Sequence, residues 1–316
     1  MVRLAADRSR RWWSSGLLYG LLGVAGFSLT LPATRVAVAS LDPTFVGLGR
    51  ALVAAMLAAV LLVTTRQPRP TWSQLRSLVV IAGGVIFGFP LLSAWAMIRL
   101  PSAHGAIVLG VLPLATALVS VLRAGERPSP AFWLASCAGS TIVVGFSLLA
   151  SGGRLETADL ALLGAVAAAA VGYAEGGRLA RELGGWQVIS WALVAAAPVI
   201  AIPVALAAGR NAGVAPPEAW LAFAYVAVVS AFMAMFAWYH GMAIGGVARV
   251  SQLQLLQPFL TILASAWLLG EAITGLTVAA AVLVLLTVAI GRRTAIRRVD
   301  QRASLANEAA EPLLPG

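Results

Sequence analysis

Ten apolar runs follow one another along the chain, separated by short turn-forming stretches such as "SLDP", "RLPSAHG" and "LGEAIT". Their limits fall near 16–37, 43–64, 76–98, 102–122, 130–150, 159–179, 187–208, 219–239, 247–268 and 272–291. Each approaches the roughly 20 residues a helix needs to cross a hydrocarbon core about 30 Å thick. In that solvent the backbone must bond within its own segment, so the runs are read as helices. The pattern predicts an all-α, polytopic membrane protein with ten transmembrane helices. It divides into a tail (1–15), a first five-helix unit (16–150), a second (151–291) and a tail (292–316) expected to be disordered. The start "MVRLAADRSRRWW" has the charge of a signal peptide. The apolar run behind it is too long and lacks a clear small-residue cleavage site, so it reads as the first span.

Composition excludes a soluble protein. Of 316 residues 60% are hydrophobic and only 11% charged, with a mean hydropathy of +0.90; so little polar surface could not cover so large a core. The net charge of +10 comes with 22 basic residues, all of them arginine. With the N-terminus inside, seventeen of these fall in cytoplasmic segments and three (Arg99, Arg154, Arg210) in outer loops, while Arg35 and Arg50 lie in or beside helices. That bias predicts two cytoplasmic termini and accounts for the charge without nucleic acid. Tryptophans such as Trp72, Trp186 and Trp220 stand near helix ends, as in an aromatic belt. Two histidines and the single Cys137 argue against a protein metal site, and no cofactor is implied. There is no P-loop, no H-E-x-x-H and no G-x-S-x-G, which argues against ATP use and against an enzyme.

The ten helices repeat. "VLPLATALVSVLRAGERPSPAFW" from Val111 matches "LQPFLTILASAWLLGEAITGLTV" from Leu256 without a gap. Pro113 meets Pro258, Gly125 meets Gly270 and Glu126 meets Glu271. Five helices is an odd number, so the second unit enters the membrane inverted, as in many secondary carriers whose substrate site lies between the repeats.

Ten helices in two halves, each with a mid-helix proline and a "GE" after its fourth helix, resemble the drug/metabolite transporter superfamily, of the EamA-domain type. The resemblance covers roughly residues 16 to 292, although "LRAGER" in the first half is less apolar than "WLLGEA" in the second. It implies an inner-membrane carrier of small metabolites, often an exporter of amino acids or related compounds. It does not supply the substrate.

One carboxylate, Glu175, lies well inside an apolar run. It could carry a coupling proton or bind a substrate amine, or it could simply pair with Arg178 at i+3. The ninth helix opens with "SQLQLLQPFL". On a regular helix Ser251, Gln254 and Gln257 share a face with Pro258, as a wet cavity wall would. Gln252 points away and suits a bond to a neighbouring helix. The helical rise puts Glu175 and Gln254 at similar depths, so both could face one cavity. Proline at 258 is expected to free the Gln254 carbonyl. Arg50 lies about 10 Å below the outer surface. It could snorkel, bind a substrate carboxylate or stabilise the fold, and a basic residue here is common in the family whatever the substrate. Trp95 could stack on a substrate, and Tyr173 neighbours Glu175 without sharing its face. His104 and Arg249 hold equivalent positions and are expected at the interfaces. Glu126 and Glu271 are expected to cap the helices they precede.

The expected activity is alternating-access export of a small polar metabolite, an amino acid or amine-like compound, with protons as a coupling partner through Glu175. A channel or a non-transporting sensor is the alternative; a channel would need a continuous polar lining, and only the ninth helix has an obvious polar stripe.

Overall fold

The computed structural model describes residues 16–124, 126–150, 156–211, 215–291 and 296–298. Helices lie over all ten apolar runs: α1 (Gly16–Val38), α2 (Pro43–Thr64), α3 (Trp72–Ala96), α4 (Ser102–Leu122) and α5 (Pro130–Ala150) in the first half. The second half holds α6 (Thr157–Leu183), α7 (Gly185–Asn211), α8 (Pro217–Gly245), α9 (247–269) and α10 (Gly275–Gly291). Among the described residues, eight of these are long and apolar enough to cross a membrane. In α5 and α10 the apolar cores are shorter, Trp133–Phe146 and Gly275–Thr287.

Local chemistry sets the boundaries. Asp42 caps α2, accepting from the Thr44 and Phe45 amides at 2.8 and 3.2 Å, with Pro43 in the first turn where its missing N–H costs nothing. Thr71 and Gln74 form a reciprocal capping box, so α3 begins four residues before its apolar run does. The stretch 240–245, expected as a loop, is helical; α8 runs on until Gly246 turns the backbone at φ +88. The expectations for residues 1–15 and 299–316 lie outside the described residues. Within the second tail, Ile296–Arg298 pairs antiparallel with Glu126–Pro128, a two-stranded ribbon that hydropathy gives no means of seeing.

Helix faces sort by size. Large side chains stand outward, with Trp267 84% and Val63 76% exposed, as hydrocarbon-facing residues do. Alanines fill the contacts: Ala54, Ala58, Ala165, Ala169 and Ala192 are fully enclosed. Small residues let helix backbones approach where no water exists to drive association. The two helix pairs α2–α7 and α5–α10 each pack together, and each joins one helix to its equivalent in the other half.

The repeat extends to departures from α-helical winding. Each half under-winds its third helix into a π segment, at Ala82–Gly88 in α3 and Tyr225–Ala234 in α8. Each half over-winds its fourth helix into a 3-10 segment, at Leu109–Val111 in α4 and Gln252–Leu256 in α9. The over-wound turns answer the prolines. Pro258 cannot donate to Gln254, so the Gln257 amide takes the Gln254 carbonyl instead; the Leu112 amide does the same for Leu109 ahead of Pro113. The carbonyl expected to be free is therefore re-bonded.

Candidate functional site

The five irregular stretches meet around one cavity. α1 breaks its helix at Leu29, and Pro32 leaves the Ser28 carbonyl to the Thr261 hydroxyl of α9 at 2.7 Å. Beside that break lie the 3-10 turns of α4 and α9, the end of the α3 π segment at Phe89 and the α8 π segment at Ser230. Between them is a cavity of about 10 Å³ lined by residues of both halves. That is room for about one water molecule.

Four of the sequence candidates line it: Arg50, Tyr173, Gln254 and Gln257. Arg50 is 4% exposed, so it does not snorkel. Its guanidinium lies over the Phe89 ring at 5.9 Å from the centroid, its Nε has no hydrogen-bond partner, and among the described residues no carboxylate pairs with it. Tyr173 sits beside that charge and against Gln254, in an aromatic cluster with Phe27, Trp238 and Tyr239. Gln254 is 2% exposed, yet neither its oxygen nor its nitrogen completes a hydrogen bond of ordinary geometry. Thr30 and Ser230 complete the polar lining, their hydroxyls 2.8 Å apart. Sequence reading passed over both, because hydroxyls are ordinary in membrane helices.

The other candidates are elsewhere. Glu175 is buried but absent from the lining; its carboxylate accepts from Arg178 at 2.8 Å, and Arg178 reaches on to Ser77 of α3 and Glu182. The structure thus separates Glu175 from Gln254: similar depth did not place them on one wall. Ser251 is enclosed, partnered and outside the lining. Gln252 is also buried outside it. Trp95 has its ring face covered by the Arg99 guanidinium at 4.1 Å. His104, expected at an interface, is buried and bonds Asp159 at 2.7 Å.

Glu271 corrects another expectation. It does not cap the helix that follows it, which starts at Gly275. Gly270, at φ +63, ends α9 in the left-handed conformation and turns the chain back. Glu271 then accepts from the Ser102 and Ala103 amides, both at 3.0 Å, and from the Ser102 hydroxyl at 2.9 Å. A carboxylate of the second half therefore caps the fourth helix of the first, at the positive end of its dipole. Arg35 adds a contact at 3.5 Å to Glu271 and a hydrogen bond to the Leu100 carbonyl. Beside this clamp opens a second cavity of about 520 Å³, lined by Arg99, His104, Glu156, Glu271 and Thr277 among others. Among the described residues there is no cluster of metal-ligating side chains.

The model of the EamA-like transporter family matches the chain twice, over residues 14–149 and 156–291. A Bacillus subtilis (strain 168) protein named "Uncharacterized transporter YdeK" is 43% identical over 290 residues, covering 89% of this chain and 98% of its own. A solved crystal structure superposes with a TM-score of 0.67 over 88% of this chain and 98% of its own, at 21% identity, which speaks for the fold alone.

Proposed function

Because the chain belongs to the EamA-like transporter family, we propose that it is a secondary carrier that exports a small polar metabolite across the cell's inner membrane by alternating access. The observation that carries this reading is the cavity at the junction of the two halves, walled by irregular backbone and by polar side chains from α1, α2, α6, α8 and α9. Carriers build their sites from interrupted helices near the midplane, between repeats that rock against each other. A cavity that holds about one water suits a closed stage of that cycle. The Glu271 clamp would be the outer closure, opening when the halves move apart. Both termini would be cytoplasmic, on the arginine bias.

Coupling to protons through Glu175 is a second reading, supported by the burial of that carboxylate within a span. Its ion pair with Arg178 makes a coupling event a matter of breaking that pair.

Counterflow in proteoliposomes tests the carrier. Vesicles preloaded with unlabelled solute should accumulate labelled solute transiently, with a rate that saturates. A flux that rises linearly with concentration and shows no counterflow would establish a channel instead.

A further inference from the structure

The central cavity has a charge without an answer. Arginine stays protonated in proteins, and enclosing an unpaired cation carries a large desolvation cost. Arg50 is enclosed, its Nε is unpartnered, and the face of Phe89 is its one ring contact. The lining holds no aspartate or glutamate, and Glu175 is engaged by Arg178 outside it. Gln254 is the second group: its amide is buried beside the Tyr173 side chain, with neither atom in a hydrogen bond of ordinary geometry. Two enclosed polar side chains with unused donors thus point into one small space from opposite halves of the protein.

Resting on the reading of this cavity as the transport site, we infer that the substrate is a small organic anion, held by its carboxylate against the Arg50 guanidinium and the Gln254 amide. The planar guanidinium fork matches two carboxylate oxygens, and charge-assisted hydrogen bonds of this kind are short and strong. The Tyr173 hydroxyl and one proton of the hydrogen-bonded Thr30–Ser230 pair supply further donors around the same space. Leu31, Leu109, Leu112 and Met235 form apolar walls, which suit a short carbon skeleton better than inorganic phosphate. Gln257 offers an amide to a polar substituent on that skeleton. An amine would face Arg50 with no carboxylate in the lining to receive it. The site selects by charge first.

Binding and flux separate this inference from the reading it rests on. The full-length protein, purified in detergent, is titrated with lactate and isovalerate, with isovaleramide and isoamylamine as matched neutral and cationic probes, and with phosphate. Thermal shift is the readout. The carboxylates should stabilise the protein saturably; amide, amine and phosphate should bind at least about tenfold more weakly. Arg50→Gln should weaken carboxylate binding by about tenfold or more, and Arg50→Lys should recover part of it, since lysine restores charge but not the fork. Gln254→Leu, which leaves Arg50 in place, should weaken the carboxylates while keeping their preference over the amine. Stabilisation by isoamylamine equal to that by isovalerate, carboxylate binding indifferent to both substitutions, or phosphate favoured over the organic acids would each overturn the inference. So would the absence of any carboxylate response. Counterflow is scored independently: saturable counterflow of an amine leaves the carrier standing and removes the anion, whereas Arg50-dependent carboxylate binding without counterflow does the reverse.

Discussion

Gly83 and Gly84 are neighbours in the π segment of α3, and a methyl group would be felt at only one of them. A Cβ on Gly84 would come within 2.4 Å of the Ala168 carbonyl and 2.9 Å of the Gly172 Cα on α6, while one on Gly83 meets nothing within 4 Å. Gly84→Ala should therefore lower stability by about 1–3 kcal/mol through overpacking against backbone that cannot yield. Gly83→Ala should be neutral or gain up to about 1 kcal/mol. Thermal unfolding of the two variants in one detergent decides it. At Glu175 the expectation concerns coupling. Glu175→Gln should keep saturable counterflow, which needs no net proton movement, and lose accumulation driven by a pH gradient; if both survive, the carboxylate serves only its pair with Arg178. At this scale the sequence was legible where chemistry was rare in its surroundings. Arg50, Gln254 and Gln257 stood out because charge and amides are costly in apolar runs. Thr30 and Ser230 carried no such signal, and Glu175 stood out for a burial that lies outside the cavity lining, where Arg178 pairs with it.

Helices were legible as segments and not as shapes. Ten apolar runs marked where they lie, because hydrocarbon imposes length and composition directly. The winding inside them was half visible. Prolines at 113 and 258 announced disturbed turns, but the 3-10 bonds that re-satisfy the carbonyls depend on the whole turn rather than on one residue. The π segment of α8 contains no proline at all. Pro258→Ala should restore an i→i+4 bond to Gln254, straighten α9 and slow transport without loss of stability. Glu271 was legible as half of a repeated motif, yet its partner helix was not, since nothing along the chain says that Gly270 aims it at residue 102. Glu271→Gln should weaken that clamp by about 1–2 kcal/mol. In a Cys137→Ser background, Thr30→Cys would then react faster with an impermeant maleimide than it does beside an intact Glu271. An unchanged rate would remove the clamp from the gate.

For the molecule as a whole, two-fold repetition was the strongest message in the sequence, and it recurs here in helix pairing and winding alike. The placement of the polar groups breaks it: at the positions equivalent to Gln254 and Gln257 the first half carries Leu109 and Leu112, and these leucines line the same cavity. Orientation is testable at this scale too. Fluorescent-protein and alkaline-phosphatase fusions at both ends should report cytoplasmic termini, and opposite signals from the two ends would contradict an even number of spans. The size of the central cavity carries a consequence of a different kind. Space for about one water cannot hold a file of them. Protons hop along hydrogen-bonded water files, so in this conformation the cavity offers no conducting wire between the two faces. If the halves rock as proposed, a cell could keep many copies in its membrane and still hold its electrical potential, because each opening would expose only one side.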